Sequence, residues 1–206
     1  VQTTARKLST VDSTAAGEAL EVVRHTETLI TLWSEEPPPV LRSGGLGVRD
    51  LRRLARELQA DEVRSTLIAE LAMGANLVIA TENTTPQWAP TTQADVWLAA
   101  TPAHRWATLA AVWLDLPRLP GLAGSKDLKD KVIAPLSEEI RRPLAPAGRR
   151  RVLGALAELS SGTGIDSVEE LAGLLAWRAP AAEPSDGGAE RSAARLGSEA
   201  QLTQAA

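Results

Sequence analysis

Arg49, Arg52, Arg53 and Arg56 recur at spacings of three and four. On a helix that spacing gathers them on one side and leaves Leu51, Leu54, Ala55 and Leu58 on the other. Arg42 stands just before them. Residues 41–60 hold five Arg against Asp50 and Glu57, a local excess of three positive charges. Guanidinium groups so arranged suit phosphate oxygens or an acidic partner. The same pattern also serves a solvated helix face whose Arg stems cover apolar surface. A second cluster, Arg141, Arg142, Arg149, Arg150 and Arg151, meets no acidic residue before Glu158 and admits the same two readings. Trp88, flanked by Pro86 and Pro90, is the tryptophan expected to be exposed and free to stack on a partner.

The residue types that catalysis needs are sparse. There is no Cys, which removes thiolate nucleophiles, thiolate metal sites and disulfides. His25 and His104 are the only histidines, and each falls inside a helical pattern. Gly44-Gly45-Leu46-Gly47 lacks the Lys and Ser/Thr of a phosphate-binding loop. These observations predict a chain that is not an enzyme and that needs no cofactor or metal.

The elements that would position the arginines follow from periodicity. A polar, flexible N-terminus is expected over residues 1–12, then a helix from Ser13 that Pro37 to Pro39 bring to an end. A helix over Val48–Gln59 carries the first Arg set. Asp61 caps the next helix, whose face is Val63, Leu67, Ile68 and Leu71. Leu77–Ala80 and Gln87–Ala89 read as two strands, a small wing. Residues 91–100 form another helix, and Thr101-Pro102 starts a further one. Trp97, Trp106 and Trp113 sit at core spacing. Two helices and a β-wing in that order predict a mainly α fold, a winged helix-turn-helix unit over residues 13–116. Residues 117–126 read as a Pro/Gly linker. Residues 127–178 read as a second helical unit, with a winged-helix-like order open to it, and with helices at 127–142, 147–160 and 166–177, the last capped by Asp166. Residues 179–206 lack an apolar period and are expected to be disordered.

In a winged helix-turn-helix the second helix reads the major groove. Here that helix opens on Asp61-Glu62, carries Glu70 and has Arg64 as its one base. Its charge is wrong for phosphate, so any contact is expected through Arg49–Arg56 and the wing. The chain has 206 residues and a formal net charge of −4, against a wholly basic nucleic-acid binder. No stretch is long and apolar enough to span a membrane. Cysteine-free composition suits a cytoplasmic chain.

The runs Val40 to Leu51, Leu67 to Ala72, Trp88 to Thr91 and Trp97-Leu98 resemble actinobacterial helicase-associated proteins. These bear a domain similar to the N-terminal region of XPB-type DNA helicases. Val152 to Leu156 and Leu171 to Arg178 look like that family's next helical unit. The resemblance covers roughly residues 30–178. It implies winged-helix units, a link to DNA transactions and a chain that looks like the N-terminal part of a longer protein. It does not imply helicase activity, because the ATP-binding Lys motif and the acidic ATPase box are missing. Two functions are therefore expected as alternatives. One is a DNA-binding module accessory to repair or transcription. The other is a protein interaction adaptor docking on a helicase or another DNA-processing protein.

Overall fold

The computed structural model describes residues 2–178; the tail expected to be disordered lies outside the described residues. Among those residues the chain is mainly helical, with seven α-helices and two antiparallel strand pairs. They divide into two units, each described in turn. The larger is Ala19–Ala145, and the smaller joins the chain up to Glu18 to the chain from Pro146 on.

The larger unit is a helical domain with a small β-wing. After α1 (Leu8–Glu35), Pro37 to Pro39 break the helix, and Gly47 precedes α2 (Val48–Leu58). That helix ends because Gln59 adopts the left-handed region at φ 54°. Gln59 N donates to Arg56 O and Ala60 N to Ala55 O, which satisfies the last carbonyls. Asp61 then caps α3 (Glu62–Gly74), its Oδ1 accepting from Arg64 N at 2.7 Å. The wing pairs β2 (Val78–Ala80) with β3 (Trp88–Pro90). Pro38–Val40 adds to the β3 edge, with Trp88 N donating to Pro38 O at 2.8 Å and Val40 N to Pro86 O at 2.9 Å. Thr91 caps α4 (Thr92–Ala99), and Thr101 caps α5 (Pro102–Asp115) with Pro102 at its first position, as the sequence indicates. Trp97 is buried, whereas Trp106 and Trp113 are half-buried.

Helix α3 is the centre of this unit. Ser65, Thr66, Leu67, Ile68, Ala69, Glu70, Leu71 and Ala72 are all buried. α2 packs on one side of it, and α5 and the turn at Pro120–Leu122 pack against it as well. Glu70 has no exposed surface. Its Oε2 accepts from Arg118 Nε at 2.5 Å, and its Oε1 accepts from Leu136 N at 2.6 Å. Arg118 Nη2 donates onward to Ser137 O at 2.6 Å. One buried carboxylate thus holds the chain after α5 and residues 136–137 on α3.

That clamp corrects two readings of the sequence. Residues 117–126 are no linker: Arg118, Leu119 and Pro120 are buried inside the larger unit, and Leu119 N donates to Ile140 O at 3.0 Å. Residues 127–142 are no helix either. Leu128, Val132, Leu136 and Ile140 keep a helical spacing, but Pro135 lacks the N–H a helix interior needs. Asp130 and Leu136 lie at φ 60° and 62°, outside the right-handed helical region. The N–H of Leu136 is spent on Glu70.

In the smaller unit, β1 (Thr3–Ala5) pairs antiparallel with β4 (Thr163–Ile165). Arg6 N donates to Gly162 O at 2.7 Å. The N-terminus expected to be loose is therefore a strand followed by the start of α1; its partner is some 160 residues away, which no local pattern reveals. Val152 and Ala155 of α6 (Ala145–Ala157) meet Leu171 and Leu175 of α7 (Val168–Trp177) in a small core. Ser167, not Asp166, caps α7 by accepting from Glu170 N at 3.1 Å.

A histidine joins α1 to α2 and α3 in the larger unit. His25 is buried. Arg64 Nε donates to its Nδ1 at 3.3 Å, and Arg24 Nη2 stands 3.0 Å from its Nε2. Glu21 Oε2 lies 3.5 Å from Nε2, and the backbone of Leu58 also bonds the ring. Burial first, then the two guanidiniums, push the imidazole pKa below its ordinary 6.5, against the weaker pull of Glu21. The folded state therefore favours the neutral ring. Its contribution to stability is complete above about pH 6.5, the unfolded value, and is lost as pH falls through the lowered folded value. Thermal melting is expected to drop between about pH 7 and pH 5, and His25→Gln is expected to flatten that drop. An unchanged slope in the variant contradicts this assignment.

Candidate functional site

The segregation of charge on α2 is as the spacing indicates. Leu51, Leu54, Ala55 and Leu58 are buried against the core, which forces Arg49, Arg52 and Arg56 into solvent on the opposite face. Arg53, on the same side, is half-buried and pairs with Glu36. Arg52 Nε meets Glu62 Oε1 at 3.1 Å with both side chains well exposed. Among the described residues Arg42, Arg49 and Arg56 make no ion pair or hydrogen bond to an acid. Arg49 and Arg56 stand two turns apart, about 10 Å along the helix axis. Exposed pairs such as Arg52–Glu62 contribute little and exchange readily for another anion.

Arg42 is held in place by the turn that carries it. Gly44 and Gly45 adopt φ 80° and 91°, and a side chain on Gly45 would come within 2.6 Å of Pro135 O. Leu41 N donates to Gly45 O at 3.1 Å and Leu46 N to Pro135 O at 2.7 Å. Trp88 closes this turn: its ring is buried and its Nε1 donates to Gly45 O at 3.3 Å. The exposure expected for Trp88 is thus corrected. Its ring faces the Gly44–Gly45 turn because the Pro38–Val40 segment covers β3, and it offers no stacking surface.

The second arginine cluster is divided between the two units. Arg141 and Arg142 belong to the larger unit, Arg149, Arg150 and Arg151 to the smaller. Arg141 is exposed and lies 3.7 Å from Glu138. Arg142 is half-buried and donates to the carbonyls of Glu139 and Arg141. Arg149 is 1 % exposed, so it is withdrawn from any surface role. Arg150 and Arg151 are exposed, and each reaches a carbonyl, of Pro146 and Leu175 respectively, at 3.4 Å. Sequence spacing placed these five together because the chain between them is short. The turn of α6 then sends Arg149 inward beside Val152.

Helix α3 presents no comparable face. Eight successive residues, 65–72, are buried, so the body of the helix cannot enter a nucleic-acid groove; solvent reaches its two ends, Glu62, Val63 and Arg64 at the start and Met73 and Gly74 at the finish. Glu70, read from the sequence as an unfavourable charge on a reading helix, is instead an internal anchor. The missed signal was its position: residue 70 falls one turn beyond Thr66 on a helix with no polar face to spare. Among the described residues no group of three His, Cys, Asp or Glu could hold a metal ion, and no helix is long and apolar enough to cross a membrane. No family model, curated protein or solved structure matches this chain.

Proposed function

We propose that this chain is a non-enzymatic, winged-helix DNA-associated module that grips the phosphate backbone without reading bases, accessory to repair or transcription machinery. The observation that supports this most is the pairing of two facts on adjacent helices. α2 turns Arg49, Arg52 and Arg56 to solvent, while α3, the helix that would read bases in such a unit, is buried over residues 65–72. In winged-helix and related units the helix before the reading helix crosses the sugar–phosphate backbone. A module left with that helix alone keeps the part of the contact that is electrostatic and independent of sequence.

A fluorescence anisotropy titration of the chain with duplexes of unrelated sequence, at low salt, checks this. Binding is expected with similar affinity for each duplex. Replacing Arg49, Arg52, Arg53 and Arg56 by Ala is expected to weaken all of them alike, about tenfold or more. Absence of binding to both duplex and single-stranded DNA at low salt removes the reading.

A second reading is favoured by the ion pairs. Arg52 and Arg53 already hold Glu62 and Glu36, and Leu41 and Val48 are exposed beside Arg42 and Arg49. Such a mixed surface suits a protein adaptor docking on a helicase or another DNA-processing protein. Association that survives moderate salt and depends on Val48 rather than on Arg49 separates it from the first.

A further inference from the structure

The segment misread as a helix builds a hairpin. Ile133 N donates to Ser125 O at 2.8 Å and Gly124 N to Ile133 O at 3.0 Å, which ties its base. Lys126 bridges Val132 across it. At the far end Asp127 N donates to Lys131 O at 2.8 Å. The Asp127 carboxylate accepts from Lys129 N and Lys131 N at 2.8 and 2.9 Å, and these bonds hold its pKa below the usual range. Asp130 turns the chain at φ 60° and pairs with Lys126 at 2.7 Å.

This tight tip presents Leu128 entirely to solvent, at 108 % relative exposure, more than any other large apolar side chain among the described residues. Nothing in the larger unit's core uses it. Lys126, Lys129 and Lys131 are exposed around it. The hairpin also adjoins the turn that carries Arg42: Leu41, Ser43, Lys131 and Val132 line one narrow cleft. Lys131 thus stands beside the turn that carries Arg42, with the carboxylates of Asp127 and Glu139 in the same cleft.

We propose that the hairpin of residues 125–133 is a second nucleic-acid contact, in which the three lysines hold the backbone and Leu128 wedges into the base stack. This rests on the reading of α2 as a phosphate-binding face. An apolar side chain carried on a tied turn between flanking cations can unstack a base step when it enters a groove. Charge favours a nucleic acid over an apolar protein pocket: three lysines against two aspartates surround the single leucine, with Asp130 held by Lys126 and Asp127 by backbone N–H groups, which leaves the tip a net positive charge.

The test uses a short duplex carrying a base analogue that brightens when unstacked, with the full chain. The wild-type chain is expected to brighten it on binding. Leu128→Ala is expected to melt as the wild type does, since the side chain touches nothing, to keep its salt dependence, to lose the brightening and to bind about tenfold more weakly, the worth of one leucine burial. Replacing Lys126, Lys129 and Lys131 by Ala is expected to lower the salt slope instead. If Leu128→Ala changes neither brightness nor affinity while the α2 arginine variant still weakens binding, the hairpin proposal fails and the α2 reading stands. If the wild-type chain binds no DNA, both fail, and a protein partner that needs Leu128 becomes the occupant to seek.

Discussion

Replacing Glu70 by Ala is expected to destabilise the chain by about 3–5 kcal/mol, because it takes the hydrogen-bonded carboxylate from the buried Arg118 guanidinium and leaves the exposed Glu138, 3.8 Å away, as a weak counter-charge. Arg118 is 7 % exposed, so water cannot easily replace the carboxylate. Ser137 O still accepts from Nη2, but a carbonyl does not balance a full charge. The Leu136 N–H loses its acceptor at the same time. For a unit of this size the melting temperature should fall by roughly 10 °C or more. Replacing both Glu70 and Arg118 by Met is expected to cost less than the Glu70 change alone, since a buried pair often breaks even with an apolar pair of similar volume. Melting of the single and double variants, followed by circular dichroism, checks both statements. A Glu70→Ala chain that melts like the wild type shows that the clamp does not hold the unit together.

The second large effect is expected at Gly45. At φ 91° an L side chain is already strained by about 1–2 kcal/mol. The added Cβ would also lie 2.6 Å from Pro135 O, which is backbone and is fixed by accepting from Leu46 N. The turn or residues 134–137 must shift, and the total is expected to be about 3 kcal/mol or more. Gly44 offers the control. It shares the positive φ, at 80°, but has nothing within 4 Å, so Gly44→Ala should show the backbone strain alone. Chemical denaturation of the two variants measures the difference. Equal losses would mean that the contact with Pro135 is not tight in solution.

Much of the larger unit was legible because its signals are local. The i, i+3, i+4 stripe of α2, the Asp61 cap and the Thr101-Pro102 start each depend on residues within one turn. The wing was legible as two short apolar runs around a polar turn. What was not legible depends on distant partners. The strand at Thr3–Ala5 exists only because Thr163–Ile165 completes it. The hairpin at 125–133 depends on Asp127 taking two backbone N–H groups, and the segment after it on Glu70, far back in the chain, taking the N–H of Leu136. Leu128, Val132, Leu136 and Ile140 keep a helical period by coincidence, and Pro135 was the warning. The candidate site was read in the same way. Arg49, Arg52 and Arg56 were found because charge segregates on one helix. Trp88 and Arg149 were misplaced because their burial is decided by the Gly44–Gly45 turn and by the packing of α6, neither of which has a periodic signature.

The salt dependence of DNA affinity, measured for the wild-type chain and for Arg49→Ala/Arg56→Ala, tests the central claim most directly. The two arginines are exposed and make no acid pair among the described residues, so the fold should be untouched. If α2 grips phosphates, the logarithm of affinity falls linearly with the logarithm of salt for the wild type, equally for unrelated duplexes, and the variant's slope is smaller by about two. An affinity that differs strongly between unrelated sequences, or a slope the double variant leaves unchanged, would contradict it.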